Sequence, residues 1–269
     1  MTVDATGQAE LIRVAHLLAE VARPETLKHF RTTALIATDK GQGLFDPVTV
    51  ADRAAEQAMR AVLARERPED AIIGEEFGRQ PGTSGLTWVL DPIDGTRGYI
   101  SGTPTWGVLI SVADDTGPLF GIIDQPYIGE RFTGGFGVAA VDGPMGQAAL
   151  ACRTGRALSD ATVLTTFPEV GTKDEGRAFH AVASQAKLTR YGMDCYGYAL
   201  LAAGQVDLVI EAGLNAYDIQ APIAVIQAAG GIVTDWAGGP AHNGGRALAA
   251  ATPDLHAAAL AILQDSLDG

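Results

Sequence analysis

The chain is most constrained by one stretch, residues 88–96 (WVLDPIDGT). Its first three residues are apolar and predict a buried strand, which ends at Pro92 because proline has no N–H to donate to a neighbouring strand. Asp91 then lies at the carboxyl end of that strand, where open α/β sheets hold their ligand sites. Asp91 and Asp94 are close in sequence and can converge in a turn, which suits a hard cation such as Mg²⁺.

Gly95 and Thr96 extend the same candidate site. Glycine lets the backbone approach a ligand closely, and threonine adds a hydroxyl. If the chain turns helical here, the N–H groups of both residues can hold a phosphate oxygen. The alternative is an Asx-turn followed by a helix cap, which needs no ligand, and the stretch alone does not separate the two.

The composition indicates a soluble globular protein and limits its partners. With 269 residues, 47% of them hydrophobic, the chain is long enough for one large domain or two halves. Its net charge of −13 argues against nucleic-acid binding, and an anionic substrate would require metal ions to reverse the local field. Cys152 and Cys195 do not suggest a disulfide framework, so we expect a cytoplasmic protein. No apolar run indicates a membrane span, and we expect no targeting segment because charges interrupt the first predicted helix.

Hydrophobic periodicity changes character between residues 141 and 159. The first part predicts helices over 8–23 and 48–67, a loop over 38–45, and strands over 71–73, 88–90, 106–112 and 119–124. The second part alternates strand and helix, which favours α/β units with parallel pairing. Its predicted strands are 162–166, 188–191, 206–211 and 232–234, and its predicted helices are 173–186, 196–204, 218–229 and 254–267.

Further acidic residues stand where predicted elements begin or end. Glu75 and Glu76 follow a short buried strand, so they lie, like Asp91, at a strand end where ligand sites occur. Asp52 has the capping-box spacing from Thr49, and Asp218 opens a helix. A helix cap accounts for Asp52 or Asp218 without any catalytic role.

Together these features resemble the inositol monophosphatase superfamily of Mg²⁺-dependent, lithium-sensitive phosphatases. The motifs GEEFG, WVLDPIDGT and YDIQAPIAVIQAAGG occur in the family's order, and the resemblance covers residues 8–265. It implies a layered αβαβα sandwich of α+β and α/β parts. The N-terminal α+β half (1–150) would carry most metal ligands, and the C-terminal α/β half (151–269) would complete the site within one structural unit. The resemblance also implies a homodimer whose substrate is a small-molecule phosphate monoester.

The resemblance assigns the metal ligands residue by residue. Glu75, Asp91 and the backbone carbonyl of Ile93 would hold one Mg²⁺, whereas Asp91, Asp94 and Asp218 would hold a second. A third, weaker ion would lie near Glu75. Without metal, these converging carboxylates would repel one another and raise their pKa values.

The resemblance also assigns the reaction to this cluster. Thr96 and Asp52 match the pair that orients or deprotonates the attacking water, with Glu75 assisting. The N–H groups of Gly95 and Thr96 would hold the phosphate, and no covalent phosphoenzyme is needed.

Three more positions match family residues less firmly. Glu76 would support the metal ligands from behind, and its alternative is a solvent-facing loop charge. Lys40 would help to order the outer metal, and its alternative is a plain solvated lysine. Glu211, a short distance before Asp218, would contact a substrate hydroxyl, unless it is only a charge at a strand end.

Within the superfamily, the chain looks most like the histidinol-phosphatase branch. The phrases that carry this likeness are FDPVTVADRAAE, DGTRGYISGTPTWG, GIIDQPYIGERF and YGMDCYGYALLAAGQVDLVIEAGL. Arg97 and Gly98 depart from residues more usual at these positions. Asp194 would pair with the ammonium group of L-histidinol phosphate and leave a neutral polyol poorly matched. The alternative for Asp194 is a plain cap of the helix that follows.

We therefore expect a Mg²⁺-dependent phosphatase that hydrolyses L-histidinol phosphate in histidine biosynthesis. The main alternative is an inositol-1-phosphate phosphatase or a broad sugar- and polyol-phosphate phosphatase. A non-catalytic member of the family is disfavoured because every metal ligand is present. A nucleotide 3′-phosphatase would need basic residues for a second phosphate, and few are placed for it.

Overall fold

The computed structural model describes residues 3–32, 38–39 and 47–268. Within these residues no helix is both long enough and apolar enough to span a membrane. The helices are α1 (Ala5–Leu27), α2 (Val50–Glu66), α3 (Thr96–Ser101), α4 (Lys173–Ala183), α5 (Cys195–Ala202), α6 (Ala216–Ala228) and α7 (Pro253–Asp268). The strands are β1 (Thr38–Asp39), β2 (Pro47–Val48), β3 (Ala71–Gly74), β4 (Gly78–Gln80), β5 (Thr87–Asp94), β6 (Gly107–Asp114), β7 (Gly117–Gln125), β8 (Glu130–Gly135), β9 (Val138–Gly143), β10 (Gly146–Ala149), β11 (Thr162–Thr165), β12 (Leu188–Tyr191), β13 (Leu208–Leu214), β14 (Ile232–Thr234) and β15 (Gly245–Ala250).

Two large sheets organise the described chain. The first has eight strands in the order β10-β9-β8-β7-β6-β5-β3-β4 and is antiparallel except between β3 and β5. The second has five strands in the order β12-β11-β13-β15-β14. Its β11 pairs in parallel with β12 and β13, as predicted, but β15 runs antiparallel to both of its neighbours. The sequence did not indicate β15 because its glycine and alanine residues have little strand propensity.

The helices and sheets alternate in five layers. Helices α1 and α2 pack on the outer face of the eight-stranded sheet, and α5 and α6 fill the space between the sheets. Helices α4 and α7 cover the outer face of the five-stranded sheet. This is the αβαβα sandwich that the resemblance implied, and the predicted fold class is confirmed.

Helix α6 lies unusually close to the eight-stranded sheet. A Cβ atom on Gly121 would lie 2.6 Å from the carbonyl oxygen of Ala221, and one on Gly134 would lie 2.4 Å from the Cα of Val225. Only glycine leaves room for this contact, since real Cβ atoms do not approach other atoms so closely. The close packing brings the first turn of α6, with Asp218, next to the end of β5.

The predicted end of β5 at Pro92 is wrong. The strand continues to Asp94, and its pairing with β6 shifts register between Asp91 and Asp94. Proline cannot donate to the ladder, so the chain accommodates it in a bulge instead of ending the strand. Such a bulge re-aims nearby side chains, and here it lies between Asp91 and Asp94, the two aspartates that the sequence predicted to converge.

Two helix boundaries also differ from prediction. Helix α1 continues through Pro24 to Leu27, because tertiary contacts hold its last turn: Thr26 is buried and its carbonyl accepts a hydrogen bond of 2.6 Å from the Tyr99 hydroxyl. Helix α6 begins at Ala216, so Asp218 is its third residue and not its opening one. Asp218 instead accepts from the Asn215 N–H at 2.7 Å, completing a capping box.

Candidate active site

Three aspartates converge where β5 ends and α6 begins. Asp91, Asp94 and Asp218 each offer one carboxylate oxygen, and these oxygens all lie within 4.8 Å of one another. The Ile93 N–H donates to Asp91 Oδ1 at 3.0 Å, so the backbone of the bulge itself orients the Asp91 carboxylate. Residues predicted from separate motifs therefore meet at one point.

The charges of this cluster fit a divalent cation. Burial raises the pKa of Asp91 well above its ordinary value, and the neighbouring Glu75, Asp94 and Asp218 raise it further. Burial and the nearby Asp194 and Asp218 have the same effect on the pKa of Asp94. An all-oxygen donor set with excess negative charge is the environment that hard cations such as Mg²⁺ bind. The family's metal ions would thus find suitable ligands here.

Glu75 and Glu76 are neighbours in the turn between β3 and β4, but their side chains have different surroundings. Glu75 faces the cleft and lies close enough to Asp91 to share a hydrogen bond. The Glu76 side chain is only 2% exposed and lies 3.6 Å from the Arg53 guanidinium. Its alternative as a solvent-facing loop charge is therefore wrong, whereas a supporting role behind the ligands remains a prediction.

Glu56, which no sequence motif singled out, holds this turn in place. Its fully buried carboxylate accepts hydrogen bonds from the N–H groups of Glu76 at 2.7 Å and Phe77 at 3.2 Å, and it pairs with Arg60. A Cβ atom on Gly74 would collide with this carboxylate, so the glycine of the GEEFG motif provides its space. The spacing of Glu56 from Asp52, one helical turn on α2, was the available signal.

Asp52 contacts both the start of α2 and the Thr96 hydroxyl that follows β5. Its Oδ2 accepts from the N–H and the hydroxyl of Thr49, at 2.8 and 2.5 Å, which confirms the predicted capping box. Its Oδ1 lies 3.4 Å from the Thr96 hydroxyl, which is also 3.1 Å from the Ile93 carbonyl oxygen. Burial raises the pKa of Asp52 to about 7, against the hydrogen bonds from Thr49 that favour its ionised form. A carboxyl with such a pKa can accept or hold a proton near neutral pH.

Helix α5 is attached directly to the aspartate cluster. The Cys195 N–H donates to Asp94 Oδ2 at 2.6 Å, so Asp94 occupies the amino end of the helix with a charge that suits the helix dipole. This bond joins parts of the chain that are distant in sequence. It places the residue before the helix, Asp194, at the edge of the aspartate cluster.

Asp194 does not cap the helix with its side chain. It has φ of 48° and makes no capping hydrogen bond, and its carboxylate accepts from the Thr105 hydroxyl at 3.1 Å. A Cβ on Gly95 would lie 2.6 Å from the Asp194 Cγ, and one on Gly98 would lie 3.1 Å from its Oδ2. The departure at Gly98 therefore makes room for Asp194. The alternative of a plain cap is wrong.

Burial raises the pKa of Asp194, although the Thr105 hydroxyl and the nearby Arg97 favour the charged form. Arg97 is exposed, and its guanidinium lies 4.9 Å from the centre of the Phe167 ring. The pair forms part of the cleft rim beside Asp194.

Glu211 enters the cleft from the middle of β13. Its carboxylate accepts from the Thr166 N–H at 2.7 Å, the Thr166 hydroxyl at 2.9 Å and the Thr165 hydroxyl at 3.2 Å. The residue is 7% exposed, and burial raises its pKa to about 7. Glu211 is thus a buried, hydrogen-bonded acid and not a solvated charge at a strand end.

These side chains surround a cleft of about 280 Å³ between the two sheets. Most of the predicted site residues line it: Glu75, Asp91, Ile93, Asp94, Gly95, Thr96, Arg97, Asp194, Glu211 and Asp218. Asp52 and Glu76 lie behind this lining, and Lys40 lies outside the described residues. Tyr198 and Thr166 line the cleft without having been predicted.

Comparison with known proteins agrees with this arrangement. The model of the inositol monophosphatase family matches residues 7–268. The chain belongs to this family. It is therefore a phosphatase that hydrolyses phosphoric monoesters, in a family whose members generally depend on metal ions.

Individual relatives of this phosphatase carry different names. The chain is 40% identical over 227 residues to "Bifunctional phosphatase IMPL2, chloroplastic" from Arabidopsis thaliana. The matched region covers 84% of the chain but only 64% of that relative. The chain is 34% identical over 253 residues to a histidinol-phosphatase from Streptomyces coelicolor, covering 91% of the chain and 93% of the relative. The solved structure of an inositol monophosphatase from Zymomonas mobilis superposes with a TM-score of 0.84 at 38% identity, covering 97% of this chain and all of that one.

Proposed function

We propose that this phosphatase is a Mg²⁺-dependent histidinol-phosphatase, which hydrolyses L-histidinol phosphate to L-histidinol and inorganic phosphate. One observation carries the proposal: a half-buried carboxylate, that of Asp194, faces the cleft beside the aspartate cluster and makes no capping hydrogen bond to the helix that follows it. The similarity to the Streptomyces coelicolor histidinol-phosphatase supports it.

The metal ligands in this proposal are Glu75, Asp91, Asp94, Asp218 and the carbonyl of Ile93, and they would hold two or three Mg²⁺ ions. The bound ions would supply the positive charge that makes a water more acidic and offsets the charge of the phosphate. The chain itself supplies few cations here: of the described residues lining the cleft, Arg97 is the one lysine or arginine.

The protein residues would position the water and the phosphate. The Thr96 hydroxyl, between Asp52 and the Ile93 carbonyl, would orient the water, and Asp52 would accept its proton through Thr96. The N–H groups of Gly95 and Thr96 would hold a phosphate oxygen that becomes more negative in the transition state. Water attacks phosphorus directly, so no residue needs to act as a covalent nucleophile.

The residues beyond the aspartate cluster would select the leaving group. The Asp194 carboxylate would pair with the ammonium of L-histidinol phosphate, a charge-assisted contact that inositol cannot make. Glu211 would accept a hydrogen bond from another polar group of the same leaving group. The similarity to the Zymomonas mobilis inositol monophosphatase favours a second candidate, hydrolysis of inositol-1-phosphate or a broader set of polyol phosphates.

Release of inorganic phosphate from equal amounts of L-histidinol phosphate and inositol-1-phosphate tests the proposal. With Mg²⁺ present, we expect a preference of about a hundredfold for L-histidinol phosphate, or roughly 3 kcal/mol of discrimination. Removing the metal with a chelator should abolish both activities, and Mg²⁺ should restore them. Equal rates with the two esters would favour the second candidate, and no release from either would contradict both candidates.

A further inference from the structure

Tyr198 is a buried residue of the cleft that the proposed reaction leaves without a role. It lies on α5 one helical turn after Asp194, and it lines the cleft. Its side chain is 3% exposed, and its hydroxyl has no hydrogen-bond partner within the described residues. Buried hydroxyl groups in native proteins are rarely left unsatisfied, and a functional site is a common reason when they are.

Packing alone does not explain the hydroxyl. Phenylalanine offers the same ring to the apolar layer between the sheets, without an oxygen that must give up its water. On the same helix, Tyr196 shows the ordinary solution, because its hydroxyl donates to Glu130 Oε2 at 2.8 Å. Tyr198 has no such acceptor among the described residues, and its place in the cleft lining makes a bound molecule the available partner.

The surroundings of Tyr198 also keep its hydroxyl protonated. Burial raises the pKa of Tyr198 well above its ordinary value, and the charges of Glu211, Asp94 and Asp218 raise it further. The hydroxyl can therefore donate one hydrogen bond and accept another. Tyr198 lines the same cleft as the aspartate cluster and Glu211, so a phosphate ester whose phosphate lies at the cluster would bring its leaving group into this lining.

We propose that the Tyr198 hydroxyl binds the substrate's leaving group, through a polar atom such as an imidazole nitrogen or a hydroxyl close to the ester oxygen. Tyr198 would then select substrates together with Asp194 and Glu211. The substrate class rests on the proposed function, but the contact itself requires only a phosphate ester with a polar leaving group.

The test compares Tyr198→Phe with Tyr196→Phe as the matched control. Kinetics are measured with L-histidinol phosphate, inositol-1-phosphate and phenyl phosphate, whose leaving group offers no polar atom beyond the ester oxygen. For Tyr198→Phe we expect KM to rise about five- to tenfold with L-histidinol phosphate or inositol-1-phosphate, whichever wild type prefers, because one hydrogen bond is lost. With phenyl phosphate, kcat and KM should stay within twofold of wild type. The melting temperature should stay equal or rise, because the variant removes an unsatisfied buried hydroxyl.

The control should behave in the opposite way. Tyr196→Phe breaks a bond made within the protein, so its melting temperature should fall while its KM values stay unchanged. A Tyr198→Phe variant that melts lower than wild type, or that keeps its KM for every polar substrate, would overturn the proposal. The first result would give the hydroxyl a structural role, and the second would leave it without one.

The same measurements distinguish failure of the proposed function from failure of the Tyr198 contact. If wild type prefers inositol-1-phosphate and Tyr198→Phe raises the KM for that ester, the proposed function is wrong and the Tyr198 contact stands. If wild type prefers L-histidinol phosphate and Tyr198→Phe leaves its KM unchanged, the Tyr198 contact is wrong and the proposed function stands.

Discussion

The two sides of the cleft are built in different ways. One side, the metal wall, consists of Glu75, Asp91, Asp94, Thr96 and, behind this lining, Asp52, with Asp218 added by α6. Its first five members come from elements that meet at one edge of the eight-stranded sheet, and nearby backbone or threonine groups hold several of them.

The other side, the substrate wall, consists of Asp194, Tyr198 and Glu211. It takes its position from long-range contacts: α5 is joined to the metal wall through the bond from the Cys195 N–H to Asp94, and Asp194 rests on Gly95 and Gly98. A side chain of the substrate wall can therefore be replaced without replacing any side chain of the metal wall. Changes in the metal wall should therefore affect every substrate, whereas changes in the substrate wall should affect discrimination between substrates.

The largest effect is expected for Asp218→Asn in the metal wall. Losing one ligand charge should lower kcat/KM by roughly a thousandfold for L-histidinol phosphate and phenyl phosphate alike, about 4 kcal/mol. The rise in melting temperature caused by Mg²⁺ should also shrink, because the folded state binds the ion less tightly. Asp265→Asn, at an exposed position on α7, serves as the control and should change neither measurement. A loss confined to one substrate would contradict the role of the metal wall.

The next effect concerns Glu211 and the stability of the metal-free protein. Burial raises the pKa of Glu211 from 4.5 to about 7, so the folded state keeps a proton that the unfolded chain releases at lower pH. The stability from this proton is complete below about pH 4.5 and is lost as pH rises through about 7, up to about 3 kcal/mol.

Chemical denaturation of the chelated protein between pH 4 and pH 8 measures this loss. In Glu211→Gln, which does not titrate, the free energy of unfolding should fall less steeply over the same range. Parallel profiles for wild type and Glu211→Gln would show that Glu211 holds no such proton. The remaining slope should come mainly from the metal wall, where burial also raises the pKa of Asp52, Asp91 and Asp94.

The smallest effect is expected for Gly98→Ala, which tests how the two walls fit together. The new Cβ would lie 2.8 Å from the Thr103 hydroxyl and 3.1 Å from Asp194 Oδ2, so the Asp194 carboxylate must shift by a few tenths of an ångström. We expect about a tenfold loss of kcat/KM with L-histidinol phosphate, about 1.4 kcal/mol, and little change with phenyl phosphate. Equal losses with both esters would mean that Gly98 supports the metal wall instead.

The sequence predicted the metal wall better than the substrate wall, for a physical reason. Asp91 and Asp94 sit in one short motif at the end of a buried strand, and Asp52 carries a visible capping-box spacing. Such signals are local, and the fold then brings them together at a sheet edge. The αβαβα layering followed from the same motifs through the family resemblance.

The features that were missed depend on tertiary contacts. Tyr198 lies in an apolar run where an aromatic residue looks like ordinary core, and Glu56 looks like an ordinary helix charge until its two backbone partners are seen. The bulge at Pro92 and the antiparallel β15 likewise arise from pairing with distant strands. Asp194 was singled out, but its positive φ and its fit against Gly98 became visible only in the fold.

Asp194 is proposed to recognise the ammonium of the leaving group, and a double-mutant cycle that pairs Asp194 with this amine measures that contact. kcat/KM is measured for wild type and Asp194→Asn, each with L-histidinol phosphate and with the otherwise identical ester that lacks the amine. We predict that wild type favours the amine-bearing ester by about a hundredfold and that Asp194→Asn reduces this preference to a few-fold, a coupling of roughly 2 to 3 kcal/mol. An amine preference that is the same in both proteins would contradict the claim and leave Asp194 without a part in choosing the substrate.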